Sequence, residues 1–552
     1  MSPPLIDIRP DHWAIVRDIL QRHVPQYEVW AFGSRATWKA KEYSDLDLAV
    51  ITDKPLSLAV SAALSDEFSE SDLPWKVDVV DWATTSEEFR KIIARDKVVV
   101  KEEKERALAA DFAIAAFDDL IRRGVLAIGD GYRAKLDELG GTGPIFLRAG
   151  LVSDTHISFD GAERFHQYLA SKVASKMSKV GDVIITTKGN STGRVAFVDD
   201  SMPPFVYSPH LSYWRSLKHD ELSPGYLRYW SRGEEFHRQL RGLSTSTDMA
   251  PYLSLADQKR LTISLPAPSE QRRIAHVLGT LDDKIELNRR MNETLEAIAR
   301  AIFKSWFVDF DPVRAKASGD APESICRRLG LTPDLLALFP HRLVDSEFGE
   351  IPKGWDVKAL DEIAKYLNGL ALQKFPPESE TEWLPVIKIS QLNKGDTAGA
   401  DRASKNLSAE YVVDDGDMLF SWSGSLVVDV WCGGPGALNQ HLFKVTSAHY
   451  PKWFYFYWTK YHLAQFQAIA AGKAVTMGHI QRKHLKEALC AVPPDSALED
   501  FGAIIAPLLE KQIANRVESR SLETIRDTLL PKLLSGELRV PEPEAADEEA
   551  AA

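Results

Sequence analysis

Cysteine is scarce, with three in 552 residues. Cys326, Cys432 and Cys490 stand far apart with no Cys-x-x-Cys pairing, so neither a disulfide framework nor a structural zinc site is expected. Long apolar runs are missing too. Nothing reaches the roughly 18 residues of a membrane span, and Met1 to Trp13 is broken by Pro, Asp and Arg instead of forming a signal core. A cytoplasmic protein with no membrane partner is expected. A basic excess is also absent: 67 Lys and Arg face 79 Asp and Glu, a net charge of −12, which argues against indiscriminate coating of nucleic acid.

What is present is ordinary globular material, 44% hydrophobic and 26% charged. At about 150 residues per domain the length suggests three or four folded units. The negative charge is concentrated at the ends. Residues 1–105 hold 14 basic against 20 acidic side chains, and 537–552 hold 1 against 6. Residues 106–268 carry 20 basic and 18 acidic side chains, so local DNA binding is allowed there.

The chain repeats itself with a period too long for a solenoid, which implies two copies of a whole domain. Gly181-Asp182, a short apolar strand, Thr186 and Gly189 match Gly416-Asp417, a strand, Ser421 and Gly424. Tyr229-Trp230 matches Tyr457-Trp458, and Met249 matches Met477, both 228 positions on. Each copy then passes a proline break and enters a long helical pattern. Apolar residues from Ile274 to Trp306 alternate in steps of four and three, with Asn288 and Asn292 at the centre. Adding 227 runs from Phe501 to Leu533 and again finds a polar middle, at Gln512, Asn515 and Ser519. Asparagine in a seam costs stability but fixes register, so Asn288, Asn292 and Asn515 predict mutual antiparallel pairing of the two helices. At 1.5 Å per residue each helix is on the order of 55 Å long and can act as a ruler. Residues 311–350, with Pro312, Pro322, Pro333 and Pro340, read as a connector with at most short helices. The aromatic run Trp453 to Trp458 reads as core, because both of its faces are apolar.

Three segments carry a resemblance: Ser269 to Ile274 (SEQRRI), Ser305 to Val313 (SWFVDFDPV) and Asp345 to Trp355 (DSEFGEIPKGW). Over about 106–536 the chain resembles the specificity subunit of type I restriction-modification systems. The resemblance implies two target-recognition domains, each reading half of a bipartite double-stranded DNA site, held apart by two antiparallel helices. It further implies docking of two methyltransferase subunits and of restriction subunits, and a role in phage defence. The subunit would have no catalytic residues of its own, and S-adenosylmethionine would enter through the partner methyltransferase. The Ile351 to Trp355 entry of the second copy has no evident counterpart before the first.

Sequence-specific reading requires polar side chains in a groove. In the first copy Lys188, Asn190, Ser191, Thr192 and Arg194 occupy a Gly-punctuated loop after a strand, and Tyr132, Arg133 and Lys135 form a second candidate loop. Asn can pair with adenine and Arg with guanine, while Lys and hydroxyls can also hold phosphates. In the second copy Ser423 and Ser425 lie in the equivalent loop, which lacks a basic residue, and Lys473 and Thr476 are expected to contribute instead.

The first 105 residues carry a different signature. Strands are expected at Val29 to Phe32, Ser44 to Ile51 and Lys76 to Val80, with a tight turn at Gly33 to Ala36. Asp45 and Asp47, two apart on a strand, face one side and can share a magnesium ion. With Gly33-Ser34 and the later Asp78, this resembles the minimal nucleotidyltransferase family of the polymerase-beta-like superfamily. The resemblance makes Asp45, Asp47 and Asp78 metal-binding and catalytic carboxylates, Gly33 and Ser34 the grip on a nucleoside triphosphate, with ATP expected, and Arg35 a neutraliser of phosphate charge. Trp38 falls where the family often has a small residue and would crowd the substrate entrance. The family includes antitoxins that nucleotidylate a partner toxin.

The expected fold is α+β and multidomain: an N-terminal α/β nucleotidyltransferase-like domain and two α/β target-recognition domains separated by two long antiparallel coiled-coil helices. The boundaries are 1–105 for the front domain, 106–268 and 351–498 for the recognition domains, 269–310 and 499–536 for the helices, 311–350 for the linker, and 537–552 for an acidic disordered tail. The leading reading is a DNA-specificity subunit whose appended nucleotidyltransferase domain regulates it. The competing one is an AMPylating, antitoxin-like enzyme that uses the duplicated region as a targeting scaffold.

Overall fold

A computed structural model describes residues 6–25, 27–41, 44–52, 55–101, 112–153, 157–244, 252–347, 349–472 and 478–541. The chain divides into two compact units, 1–279 with 527–552, and 280–526. No helix among the described residues is long and apolar enough to cross a membrane.

At the front, a four-stranded sheet has Leu46–Ile51 and Glu28–Phe32 in its middle, flanked by Val77–Asp81 and Val98–Lys101. Leu46–Ile51 is apolar along nearly its whole length because both of its faces are covered. One face packs on helices Pro10–His23 and Leu58–Glu70 through Val16, Leu20, Leu64 and Phe68. The other meets Ile93 of helix Glu87–Asp96 through Phe32 and Ala49.

The first copy of the duplication is built on a sheet in the order Val195–Phe197, Val183–Thr186, Leu211–Ser216 and Leu126–Asp130. The second copy repeats that order with Val428–Val430, Met418–Ser421, Leu442–Thr446 and Lys365–Asn368. Each copy adds a smaller sheet with a parallel pair, Phe205–Tyr207 beside Ile145–Leu147, and Leu384–Ile387 beside Gly436–Leu438. A third pairing closes each copy: Ala113–Ala116 with Thr262–Leu265, and Asp356–Ala359 with Leu489–Val492. Ala113–Ala116 and the short helix after it are therefore the counterpart of Asp356–Ala359 and its helix, and the stretch that would answer Ile351 to Trp355 lies just ahead, almost wholly outside the described residues.

The repeated Gly-Asp pair is a folding device. Gly181 and Gly416 turn with φ of 93° and 90°, which a glycine adopts without steric cost. The aspartates then anchor the strands that follow: buried Asp182 accepts from Arg215 and Tyr207, and Asp417 pairs with Lys444 at 2.7 Å.

The long helices span Pro268–Phe303 and Asp495–Ser535. The first continues as a π turn, Lys304–Val308, and ends at Phe310 in the left-handed conformation, so the α-helix stops before the expected residue 310. Within 280–526 the helices run antiparallel, since Asp282 meets Arg526, Asn288 meets Asn515, and Asn292 meets Gln512. In the other unit Ile274 and Leu278 share a core with Leu533, Leu534, Trp230 and Phe117.

Residues 311–350 do form short helices, Asp311–Ala317, Pro322–Leu329 and Pro333–Ala337, but they are no loose connector. Val313, Ile325, Leu336 and Phe339 are buried in the same cluster as Trp355 and Phe501. The aromatic run lies on helix Lys452–Ala471 and is buried from Trp453 through Trp458. Most of the acidic tail, and the repeat anchors Met249 and Met477, lie outside the described residues.

Candidate functional site

In the front domain, parallel pairing places Asp47 directly beside Asp78, with Asp45 just ahead of the same strand. Gly33 follows the neighbouring strand with φ of 76°, and any Cβ there would run into the Asp47 carboxylate. The glycine therefore serves both the turn and the carboxylate's place. Burial holds the Asp47 carboxyl above its usual range, with the negative charges of Asp78 and Asp45 adding to the effect. A site that penalises its own ionisation in this way favours a cation. Oxygen donors suit magnesium, which keeps several waters and takes only one or two carboxylates.

Asp78 also pairs with Lys76 at 2.5 Å, and among the described residues no three acidic, histidine or cysteine side chains form a ready-made metal cage. Arg35, expected to neutralise phosphate charge, is turned inward. It is buried over the Trp75 ring and donates to the carbonyls of Ser44 and Asp7 at 2.8 Å, which ties the turn to the chain on either side of it. Ser34 lies in the one-turn helix Gly33–Ala36 that opens over this sheet edge. Trp38, just after that helix, is 65% exposed.

In the first recognition copy, the loop after Val183–Thr186 is held from inside. The Thr186 hydroxyl donates to the Ser191 carbonyl and accepts from Arg194 N–H, and the Thr192 hydroxyl donates to Gly189 at 2.7 Å. Lys188, Asn190 and Arg194 are left exposed, with Ser191 and Thr192 half-buried. Arg133 and Lys135 are exposed as well.

Tyr132 differs: its ring packs on Phe165 and its hydroxyl donates to Glu138 at 2.9 Å, so it belongs to the scaffold. Glu138 is bound by the Lys135 backbone N–H, Lys172 and Tyr132, which lower its pKa from 4.5 to about 2. A depressed carboxylate contributes stability that is present above the ordinary pKa and is lost as pH falls through the folded value. Glu138→Gln should therefore lower the thermal midpoint at pH 7. In melts across the range, the gap to the parent should narrow between pH 4.5 and pH 2.

The second copy holds its loop in the same way, the Ser421 hydroxyl donating to the Ser425 carbonyl at 2.6 Å and accepting from Val427 N–H. Ser425 is exposed, but Ser423 is 4% exposed and bonded to His441 Nδ1, which corrects its expected outward role. Lys473 and Thr476 lie outside the described residues. The sequence reading missed His210 and His441, which stand at the same place in the two copies. A shared His-Leu pair was the available signal, too short to register alone.

The helix centre is polar and dry. Asn288 and Asn515 are fully buried. Asn288 Nδ2 donates to Glu518 at 2.9 Å, Asn515 Nδ2 to Asn292 at 2.9 Å, and Asn292 Nδ2 to the Gln512 carbonyl at 3.1 Å.

Comparison with known proteins agrees with this layout. The type I restriction modification DNA specificity domain matches residues 141–297 and again 352–525. The polymerase beta nucleotidyltransferase family matches 16–106. The type I restriction enzyme HindI specificity subunit of Haemophilus influenzae is 26% identical over 410 residues, covering 66% of this chain and 88% of the relative. The probable protein adenylyltransferase MntA of the same organism is 57% identical over 99 residues, 18% of this chain and 87% of its own. A type I restriction-modification S subunit from M. genitalium, of known crystal structure, aligns over 76% of this chain and 96% of its own, at 15% identity and a TM-score of 0.46. With most of each copy of the duplication covered by one family match that takes in more than half of the sequence, the chain belongs to the type I restriction-modification DNA specificity family and carries a polymerase-beta-type nucleotidyltransferase domain ahead of it.

Proposed function

We propose that the duplicated part reads a bipartite DNA target, one half per copy, and docks two methyltransferase subunits and, where present, restriction subunits. The observation that carries this reading is the antiparallel helix pair locked by Asn288, Asn292 and Asn515, because buried amides that are satisfied in one alignment only fix the register of the two helices that follow the two copies. Exposed Lys188, Asn190, Arg194, Arg133, Lys135 and Ser425 supply base and phosphate contacts. Methyl transfer and its S-adenosylmethionine belong to the partner.

The front domain, in the same reading, binds magnesium and a nucleoside triphosphate, ATP by its likeness to an adenylyltransferase. Asp45 and Asp47 would hold the metal, with Asp78 close by, and Gly33 and Ser34 would cradle phosphate. The bound ion would screen the triphosphate charge, while Asp47 orients it from a partly desolvated position. The acceptor is a partner macromolecule, and the transfer regulates the assembly.

Co-expression with the cognate methyltransferase subunit should yield methylation at two short segments separated by unspecified bases, read by methylome sequencing. Exchanging 113–265 for the same span of a relative should alter one half of the motif and leave the other. Alteration of both halves, or no motif from an assembled complex, would refute the reading.

A further inference from the structure

Three segments meet in each recognition copy, and their backbone pairing is the same. In the first, Thr187 N–H donates to the His210 carbonyl, Leu253 N–H donates to the Thr187 carbonyl, both at 2.9 Å, and Lys188 bridges Tyr252. In the second, Trp422 N–H donates to the His441 carbonyl at 3.3 Å, Ile480 N–H donates to the Trp422 carbonyl at 3.0 Å, and Ser423 bridges His479. The frame is duplicated. Apart from the histidine, the side chains on it are not.

Those side chains also face outward. Lys188 and His210 are exposed and Tyr252 is 57% exposed. Gln440, His441 and His479 are half-buried. In the second copy the Trp422 ring lies 5.9 Å from His441 and 6.4 Å from His479, its Nε1–H donates to the Gln440 carbonyl, and buried Ser423 holds His441 Nδ1 at 2.9 Å. Two imidazoles are thus held against the Trp422 ring, and the Gln440 carboxamide is held by Asn439 Nδ2 at 3.3 Å, all at the half-exposed rim of the seam. A seam serving only to join segments would bury its side chains. One serving recognition keeps them reachable on a rigid base.

Two modules that dock alike on one polymer while distinguishing different sequences need a common frame, a common contact and unlike neighbours. We propose that this seam is the half-site reader. His210 and His441 make matched DNA contacts, and the unlike groups beside them, Lys188 with Tyr252 against Gln440 with His479, set the difference between the two half-sites. The chemistry fits a groove edge: the His210 ring presents its nitrogens, His441 with Nδ1 on Ser423 presents Nε2, a carboxamide offers both donor and acceptor, and Lys or Tyr offers a donor to base or phosphate oxygens. Ser423 is a positioning residue that acts through His441.

This proposal rests on the bipartite reading above, and its test separates the two. The full-length protein, assembled with its methyltransferase subunits, selects bound duplexes from a randomised DNA library. Lys188→Gln combined with Tyr252→His should change the preferred bases in one half of the selected motif, while the other half persists and reports an intact fold. His441→Gln should weaken binding by roughly 10-fold through the opposite half, the scale of one lost base contact. Ser423→Ala should change base preference in the half read through His441. If the parent selects a two-part motif and all three variants select it unchanged at parental affinity, the seam is not the reader, although the bipartite reading stands. If the parent selects no motif, the bipartite reading fails and this inference with it. Loss of both halves by a variant that melts like the parent also overturns the assignment.

Discussion

Phe307→Ala should destabilise the 280–526 unit by about 3–5 kcal/mol, the range of a buried aromatic truncated in a close-packed core. Phe307 is fully buried in the π turn that ends the first long helix. Its ring meets Phe303 at 5.0 Å, Trp355 and Trp453 at 5.6 Å, Phe454 at 5.8 Å and Phe501 at 5.6 Å. Those partners come from the first helix, the entry to the second recognition copy, its aromatic helix, and the second long helix. One side chain therefore joins four segments, and alanine would leave a void that none of them can fill without moving the others. Urea unfolding followed by tryptophan fluorescence should show the loss in one transition, because the core of the other unit contains none of these residues. A loss under about 1 kcal/mol would contradict this packing.

Asp45→Asn with Asp47→Asn should reduce magnesium-dependent label transfer from ATP by at least about 100-fold, the scale on which removal of a charge-stabilising group acts. The effect should be chemical and not a collapse of the fold. The Asp47 carboxyl is held above its ordinary pKa by burial and by its acidic neighbours, so ionisation works against folding, and a neutral carboxamide removes that penalty. The melting temperature of the double variant should be equal to or above the parent's near neutral pH. Asp78→Asn should cost less activity, because Asp78 is already engaged by Lys76. Equal loss in Asp78→Asn would place all three carboxylates at the metal. An inactive parent that also binds no nucleotide would refute the proposed role of the front domain.

The duplication was legible because a 227-residue offset superposes two long seams, and a polar centre matching a polar centre can be read without coordinates. Asn288, Asn292 and Asn515 were found in this way. The front domain was legible for a related reason: Gly33 directly follows one strand, Asp45 directly precedes the next, and Asp47 and Asp78 lie on strands short enough to read from their apolar runs. Residue type did not reveal which way a loop side chain turns. Tyr132, Ser423 and Arg35 are polar residues in turn-rich segments, yet each is turned inward by a distant partner: Glu138 and Phe165, His441, and Trp75 with Asp7. The 311–350 stretch was misjudged for the opposite reason. Its prolines mark short helices correctly, but its scattered apolar residues gain a core only from Trp355 and Phe501, which lie outside it.

The amino-acid order alone settled that there are two copies, two long helices with a polar middle, and an acidic front domain with paired aspartates. These are periodic or local properties, carried by neighbours three, four or two residues away. Which polar groups remain at the surface was decided only in three dimensions. A side chain stays outward when no partner takes it up, and the partners that took up Tyr132, Ser423 and Arg35 come from parts of the chain whose approach no local pattern encodes.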